Sequence, residues 1–478
     1  MAYRYGERHQ MDLLPPSVES YVSTDDPVRA YDAFVDAMDF NELGIAIKPH
    51  QIGCPSYDPR AMLKLLVYGY SYGIRSSRKL ERATLHNISF MWLIGGLKPD
   101  HKTIAEFRRN NKSALKGILK QCARLCLKLD LIAGNTLFVD GTLIRANASI
   151  KNSWTRKRCE KVLNKVDKRI EAILGECETV DREEQDQTSM VKMDSELKDS
   201  RALKTKVEKI LKELKKEGKN SLNTTDPGCV RTNGVHGSHA GYNAQSVVDE
   251  KYGLIVSSDV ISENNDIGQF AEQVDQANQT LGEKCQVACA DAGYSNTDEL
   301  EKVNEQNIKV VVPSKRQASR KKRNNEIKAF DMEHFHYDAG KDHFLCPEGQ
   351  ILPYSYSNKK GKTRIYSIPR GFICQQCQHF GICTKSRRGR SVSRLIREEA
   401  REKFEAQYKQ PKSQAIYKLR QEKVELPFGH IKRNLKVDAF LLRGREGVKA
   451  EMALLSSCFN IVRMINILGV PGLIQQMG

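Results

Sequence analysis

Residues 135–149, NTLFVDGTLIRANAS, constrain the fold of this chain more than any other stretch. A run of Leu, Phe and Val predicts a buried strand, and Asp140 follows that strand directly. A carboxylate at the end of a buried strand costs free energy unless it is paired or binds a cation. The same pattern returns in residues 286–295, QVACADAGYS, where Asp291 follows a second apolar run. Two matched strand ends therefore predict that the two aspartates share one functional role.

A third carboxylate, Glu425, lies in the block YKLRQEKVELPFGHIK at residues 417–432. Two strand-end aspartates and a later glutamate can gather two divalent cations, and their oxygen ligands suit Mg²⁺ or Mn²⁺. Two metal ions a few ångströms apart are the apparatus for cutting and rejoining phosphodiesters. A single aspartate after a strand is more often a loop residue or a helix cap, so the hypothesis depends on the repeated pattern.

The 417–432 block resembles the signature of the DDE transposases of bacterial insertion sequences, in the group with a Tyr–Arg–Glu–Lys signature. The matching residues are Tyr417, Arg420, Glu425 and Lys432. The resemblance extends over most of the chain through residues 57–82, 99–109, 241–249 and 291–295. It implies an RNase H-like catalytic domain that uses Mg²⁺ (or Mn²⁺), two ions per active site. It also implies double-stranded DNA, as transposon ends and target, for the substrate.

By this resemblance Asp140, Asp291 and Glu425 are the catalytic residues and the ligands of the two ions. The rest of the signature is expected to contact phosphates near the cut: Tyr417, Arg420 and Lys432. Cutting at paired ends implies a homodimer on DNA. The function predicted is therefore that of a transposase, which binds transposon ends and catalyses metal-dependent cleavage and strand transfer.

The register of the third carboxylate has a competitor. Four residues separate the signature arginine from Glu425, where the commonest form of the signature has three, so Glu422 is the alternative. We favour Glu425, because its spacing to the signature lysine fits and because residues 425, 429 and 432 share one helical face. Pro427 disfavours helical geometry at the residue before it, so a kink or a helix start is expected there.

Charge and composition support a nucleic-acid partner. The formal net charge is +18 and the pI is about 9.2, which favours a polyanion, and two basic runs at 314–325 and 385–401 can neutralise phosphates. A membrane is not expected, because no stretch reaches about 18 consecutive apolar residues and residues 1–12 lack an apolar signal core. Thirteen cysteines without an export signal indicate a reducing compartment. The expected location is cytoplasmic, with the nucleoid.

Residues 1–130 predict a helical domain resembling a helix-turn-helix DNA-binding domain. Short helices are joined by turns marked with Gly and Pro, and Asp58 followed by Pro59 predicts a helix start. The alternative is an ordinary helical bundle with a solvated basic face. Six basic residues are the candidates for phosphate contacts: Arg75, Arg78, Lys79, Lys102, Arg108 and Arg109.

Strands alternating with helices after residue 130 predict an α/β catalytic domain over residues 131–460. Two apolar stripes at helical spacing predict a helical hairpin inserted at 151–225. A smaller Cys-rich, zinc-ribbon-like module is expected at 326–390. Residues 461–478 are expected to be the end of a C-terminal helix and a tail.

Four cysteines in the smaller module have the spacing of a structural zinc site. Cys346 precedes Pro-Glu-Gly, and Cys374, Cys377 and Cys383 follow as a close group. Four thiolates suit tetrahedral zinc, with His379 as an alternative ligand. Simple packing of the cysteines, with no metal, is the competing interpretation.

Two other classes of function use much of the same sequence. A metal-dependent nuclease without strand transfer would need the same three carboxylates. A catalytically inactive, transposase-derived DNA-binding protein would usually have lost one of them, and all three are present. An assay for DNA joining separates the first alternative from a transposase.

Overall fold

The computed structural model describes residues 17–47, 56–183, 187–216, 218, 221–234, 237–322, 329–358 and 362–477. The stretch considered for a signal core and the end of the 314–325 basic run lie outside these residues. The chain divides into two compact units. Unit 1 comprises Met1–Asp266, Gln273–Lys284 and Glu422–Gly478. Unit 2 comprises Ile267–Glu272 and Cys285–Gln421.

Unit 1 begins with helices, and three of them start at an aspartate that caps the first turn. The side chains of Asp26, Asp58 and Asp100 each accept a backbone N–H two or three residues ahead, which confirms the predicted start at Asp58. The six helices are α1 (Pro27–Asp36), α2 (Pro59–Ser71), α3 (Ser77–His86), α4 (Ile88–Leu93), α5 (His101–Asn110) and α6 (Lys112–Lys128).

The strands of unit 1 follow, interrupted by two long helices. In chain order the elements are β1 (Thr136–Arg145), β2 (Ser153–Thr155), α7 (Arg156–Glu183), α8 (Gln187–Lys216), β3 (Ser221–Asn223), β4 (Val230–Gly234), β5 (Gly237–Asp249) and β6 (Ile255–Ile261). Strand β5 pairs antiparallel with β1, β4 and β6. Strands β5 and β6 form a hairpin, and the buried side chain of Asp249 accepts the N–H of Lys251 in its turn.

The predicted helical hairpin is formed by α7 and α8, which contact the small sheet of β2 and β3 at their base. Cys159, Val207 and Leu214 are buried between the two helices, and Leu222 closes the base. The guanidinium of Arg169 also bonds both oxygens of Glu196, at 2.8 and 3.0 Å. The described part of the hairpin therefore has an apolar core of its own.

The remaining elements complete the chain. They are α9 (Phe270–Leu281), β7 (Val287–Ala290), α10 (Thr297–Asn304), β8 (Lys309–Val311), α11 (Lys315–Lys322), β9 (His336–Asp338), β10 (His343–Leu345), β11 (Ile351–Asn358), β12 (Thr363–Ser367), α12 (Gly371–Gln375), β13 (Ser391–Leu395), α13 (Glu398–Lys409), α14 (Pro411–Arg433), α15 (Arg445–Leu468) and α16 (Val470–Met477). Together with the elements named before, they form a mixed α/β protein.

Helix α15 is the centre of unit 1. It packs on α6, α2 and β6, and Asn460 exchanges two 2.8 Å hydrogen bonds with the backbone of Ile255 in β6. Among the described residues α15 is the one helix long and apolar enough to cross a membrane, and 67% of its apolar stretch is buried inside the protein.

Two predicted boundaries are corrected by this packing. Residue 130 does not separate two compact units, because α2 and α6 share their core with α15 and β6. The predicted C-terminal tail is the helix α16, which packs on α1 and buries Val470 and Leu473.

Unit 2 contains two groups of paired strands. Strands β7 and β8 run parallel, as expected for strands joined by a helix, here α10. A five-stranded antiparallel sheet has the order β13-β12-β11-β10-β9. Its core buries Phe344, Leu352 and Tyr366, with Cys346 and Cys383 packed at the edge. The Cys-rich stretch therefore folds around a small apolar core.

Candidate catalytic and DNA-contact residues

Asp140 lies in the middle of β1 rather than at its end. The strand continues to Arg145, because the long strand β5 supplies pairing partners along its whole length. Asp140 stands opposite Ser246 and is half-buried. The predicted strand end at Asp140 is therefore wrong, whereas Asp291 does follow directly on strand β7.

A polar network that was not predicted from the sequence lies beside Asp140. The amide of Gln245 donates to Asp266 Oδ1 at 2.8 Å and to Asn243 Oδ1 at 3.0 Å, and Asn243 also donates to Asp266. A Cβ atom on Gly141 would lie 2.4 Å from the Gln245 amide, so only glycine fits there. The signal was present in GYNAQ, where two amides alternate along a strand that is buried from Ala240 to Asp249.

The end of α14 reaches β1 next to Asp140. The ammonium of Lys432 donates to Thr142 Oγ1 at 2.5 Å, and Thr142 lies on the same face of β1 as Asp140. Loss of hydration lowers the pKa of Lys432, while the carboxylate of Asp140 acts in the opposite direction. Lys432 therefore contributes positive charge at the half-buried carboxylate.

Glu425 lies two turns before Lys432 in α14. Residues seven apart in an α-helix are about 20° apart around the axis, whereas Glu422 is about 80° from Lys432. Glu425 and Lys432 therefore face the same side, and both Glu425 and Glu422 are exposed. Helix α14 continues through Pro427, so the expected helix start there is wrong. Burial of Val424, Phe428 and Ile431 around the proline offsets its missing N–H.

In unit 2, Asp291 caps the start of a short 3₁₀ turn, and the backbone of that turn fixes its carboxylate. Its Oδ1 accepts the N–H of Gly293 at 2.7 Å, and its Oδ2 lies 4.0 Å from the Arg420 guanidinium. The Arg420 side chain is only 11% exposed, whereas that of Asp291 is 44% exposed. Burial raises the pKa of the neighbouring thiol of Cys289 to about 12, so this cysteine is an uncharged packing residue.

Tyr417 lies one turn before Arg420 and packs edge-on against Tyr408, with ring centroids 5.2 Å apart. It is half-buried, so its ring is supported and part of it reaches solvent. In the signature helix α14, Tyr417 and Arg420 thus belong to unit 2 and Glu425 and Lys432 to unit 1.

The N-terminal basic candidates fall into two groups. Arg78, Lys79, Lys102 and Arg109 are exposed on α3 and α5, which pack against each other. Arg108 is buried and donates to the hydroxyl of Tyr70 and to the carbonyl of Arg75, each at 2.9 Å. The predictions that Arg108 and Arg75 contact DNA are therefore corrected, because the guanidinium of Arg108 is used inside the fold and that of Arg75 forms an ion pair with Glu451.

The candidate zinc ligands line one small cavity of about 40 Å³. Cys346 Sγ accepts the N–H of Gln350 and Cys374 Sγ accepts the N–H of Arg390, each at 3.3 Å. Burial raises the pKa of the Cys383 thiol, and the other three cysteines lie near enough to raise it further. His379 instead contacts Glu348 at 3.0 Å.

No ion site is formed by these side chains as they stand. Within the described ranges, no group of three or more His, Cys, Asp or Glu side chains is arranged to hold a metal ion. The zinc site therefore stays a prediction, as do the two Mg²⁺ ions. The donor chemistry fits both: carboxylate oxygens for Mg²⁺ and thiols with N–H donors for zinc.

Two families of known proteins match separate parts of the chain. The family described as Transposase domain (DUF772) matches residues 16–110, and the family described as Transposase DDE domain matches residues 345–465. No curated protein matches significantly. A solved cryo-EM structure, the piggyBac transposase synaptic complex with hairpin DNA, aligns over 95% of this chain and 78% of its own. The identity is 9% and the TM-score is 0.35.

The signature in α14 and the two family matches define a transposase. Both matched families are described as transposase domains, and Cys346, Glu425 and Lys432 all lie within the matched DDE domain.

Proposed function

We propose that this transposase binds the ends of a mobile DNA element and cuts and rejoins phosphodiester bonds with Mg²⁺ or Mn²⁺. The proposal assigns the metal-binding role to Asp140, Asp291 and Glu425, and an RNase H-like organisation to the catalytic domain. The observation that carries it is the contact of Lys432 with Thr142 beside Asp140, because it sets a signature lysine against a signature aspartate.

The residues of unit 1 have separable roles in this proposal. Asp140 holds a negative charge at a half-buried position, and the nearby Lys432 is poised to contact a phosphate of bound DNA. Glu425, on the same side of α14, supplies a second carboxylate that solvent and ligand can reach. The network of Asn243, Gln245 and Asp266 fixes β1 at Gly141 and so orients the strand that carries Asp140.

In unit 2 the proposal gives Arg420 the role of a phosphate contact. Its guanidinium is 11% exposed and lies beside the carboxylate of Asp291, so its direction is restricted before DNA binds. A guanidinium can contact two phosphate oxygens at once. Tyr417, supported by Tyr408, adds a hydroxyl one turn away.

The divalent ions, when bound, would lower the pKa of a water or 3′-hydroxyl and stabilise the leaving 3′-oxygen. Everything else in the reaction is positioning and charge supplied by the side chains named above. Action at two ends of one element further leads us to propose a homodimer on DNA.

The test uses DNA that carries the sequences flanking this reading frame. Purified protein is incubated with end fragments and a target plasmid in Mg²⁺, in Mn²⁺ and in EDTA, and the products are sequenced. The proposal expects metal-dependent nicks at the element ends and joined end–target products. Nicks without joined products would favour the nuclease, and end binding without nicks would favour the inactive DNA-binding protein.

We also propose one structural zinc ion held by Cys346, Cys374, Cys377 and Cys383. The support is that the four thiols line one cavity and that two of them accept backbone N–H groups. Purified protein that has not met chelators should contain about one zinc per chain, and Cys374→Ser should lower that content. Metal analysis that finds no zinc in such protein would exclude this site and leave the catalytic proposal untouched.

A further inference from the structure

Residues 349–397 contain no Asp or Glu and eleven Lys or Arg. This stretch forms most of the antiparallel sheet of unit 2 and the Cys-containing loop between β12 and β13. A solvated surface of a folded domain ordinarily mixes both signs of charge. An acid-free stretch of this length therefore indicates a polyanionic partner at this surface.

Several of these basic residues are already used within the fold. Lys362 pairs with Asp298, Arg397 with Glu301, and Arg394 stacks on the ring of Tyr337. Arg390 donates to the carbonyls of Cys383 and Phe330. These side chains stabilise unit 2 and leave little charge for a ligand.

Four others remain directed to solvent. Each is exposed, and none forms an ion pair with another residue in the described ranges: Arg370, Lys385, Arg387 and Arg388. Arg370, Arg387 and Arg388 belong to one local surface, because a Cβ atom on Gly371 would lie 2.2 Å from the carbonyl oxygen of Arg387 and 3.0 Å from the backbone of Arg388. Lys385 lies two residues before Arg387. The amide of Gln375 also donates to that carbonyl, at 2.7 Å.

Three large apolar side chains are exposed on this same loop. Phe372 is 49% exposed, Phe380 is 37% exposed and Ile382 is 76% exposed. We name the Cys-loop surface as Arg370, Phe372, Ile382, Lys385, Arg387 and Arg388. Phe372 directly follows Gly371, where the chain meets the backbone of Arg387 and Arg388, so its backbone lies beside those of Arg370, Arg387 and Arg388.

The mixture of an exposed ring and free guanidinium groups selects between forms of nucleic acid. Bases of a duplex are stacked on each other and present only their edges, so a ring reaches a base face only after a base step is unstacked, which costs free energy. An unpaired base offers its face, and stacking on an aromatic side chain stabilises such complexes. We propose that the Cys-loop surface binds an unpaired DNA strand, with Phe372 stacking on a base and the arginines on its phosphates.

This inference rests on the proposed function in one respect only, which is that the polyanion is DNA. The experiment measures binding of the full chain, without divalent metal, to a fluorescent oligothymidine and to a blunt duplex of equal length. Phe372→Ala should weaken binding of the single strand by about 5- to 150-fold and change duplex binding less than about twofold. Phe372→Tyr, which keeps the ring, should retain affinity. Tyr21→Ala, at an exposed aromatic residue of unit 1, is the matched control and should change neither.

The charges are tested separately. Joint Arg370→Gln, Arg387→Gln and Arg388→Gln replacement should flatten the salt dependence of single-strand binding by about 2 in the slope of log K against log salt. Thermal unfolding checks that each variant is folded. Equal losses on single strand and duplex, or unchanged single-strand affinity in folded Phe372→Ala, would overturn the proposal. Because no metal is present, a wrong assignment of the catalytic carboxylates would not alter these results.

Discussion

Arg75 and Glu451, 376 residues apart in the chain, form a buried ion pair with nitrogen and oxygen 3.0 Å apart. Glu451 also accepts the N–H groups of Leu441 and Leu442, and Arg75 donates to the carbonyls of Lys436 and Ala439. The pair therefore holds the segment that directly follows α14. It connects the N-terminal helices to the helix that carries Glu425 and Lys432.

Removing one member of this pair should be strongly destabilising. Glu451→Ala leaves the guanidinium of Arg75 buried without its carboxylate, and such a loss typically costs about 3–5 kcal/mol. The urea midpoint of unfolding should fall accordingly. Glu446→Ala is the control, because the Lys116–Glu446 pair also joins α15 to an N-terminal helix but is exposed. Its loss should cost about 1 kcal/mol or less, and equal losses from both variants would contradict the role of burial.

Gly141 should not tolerate a side chain. A Cβ atom there would lie 2.4 Å from the Gln245 amide and 2.8 Å from Asp266 Oδ1, so Gly141→Ala should cost about 1–3 kcal/mol and reduce DNA cleavage. Gly429→Ala is the control, since α14 leaves open space there and alanine favours a helix over glycine by about 0.8–1 kcal/mol. Unfolding midpoints of both variants test the pair. A Gly141→Ala protein as stable as the parent would mean that the network is not tight.

The sheet of the Cys-rich stretch should respond to acid through Asp342. Hydrogen bonds from the hydroxyls of Tyr366 and Tyr337 hold the pKa of Asp342 below its ordinary value. A carboxyl with a lower pKa in the folded state stabilises it above the unfolded pKa, and this contribution is lost as pH falls through the folded pKa. Asp342→Asn should therefore lower the melting temperature at neutral pH, and the difference between the two proteins should shrink as pH falls below the ordinary carboxyl pKa of about 4. A gap between the two proteins that persists unchanged in acid would contradict this.

Affinity for DNA should fall steeply with salt. If about 6–10 phosphates are neutralised, raising salt from about 50 to 200 mM should weaken binding by about 10³–10⁵-fold. Joint Arg78→Gln and Lys79→Gln replacement should flatten the slope by about 2, because both side chains are exposed. Arg108→Gln should lower stability and leave the slope unchanged, since Arg108 is buried. A flat slope for the parent protein would contradict phosphate contacts as the main source of affinity.

The features that could be predicted are those encoded by neighbouring residues. Asp58 caps α2 because its side chain reaches the N–H of Arg60, and the β5–β6 hairpin turns where Asp249 can accept the N–H of Lys251. Asp291 follows its strand directly because it opens a turn that its own side chain stabilises. Each of these signals lies within three residues of the structure it specifies.

The features that were missed depend on distant partners. Strand β1 continues past Asp140 because β5, a hundred residues later, pairs with all of it. Arg108 is internal because Tyr70 and Arg75 meet it there, and α16 is a helix because α1 covers it. No pattern among residues close together in the sequence predicts these contacts. The amides of Asn243 and Gln245 were a usable signal, since buried polar side chains require partners.

The most direct test of the catalytic assignment compares single carboxylate variants in Mg²⁺. Asp140→Asn, Asp291→Asn and Glu425→Gln should each abolish cleavage of end DNA, because an amide keeps the shape but loses the charge that a cation needs. Binding to the same DNA should stay within a few-fold of the parent protein. Glu422→Gln is the matched control, and it should cleave at the parental rate. Substantial cleavage by any of the first three variants, or its loss in Glu422→Gln alone, would contradict the assignment.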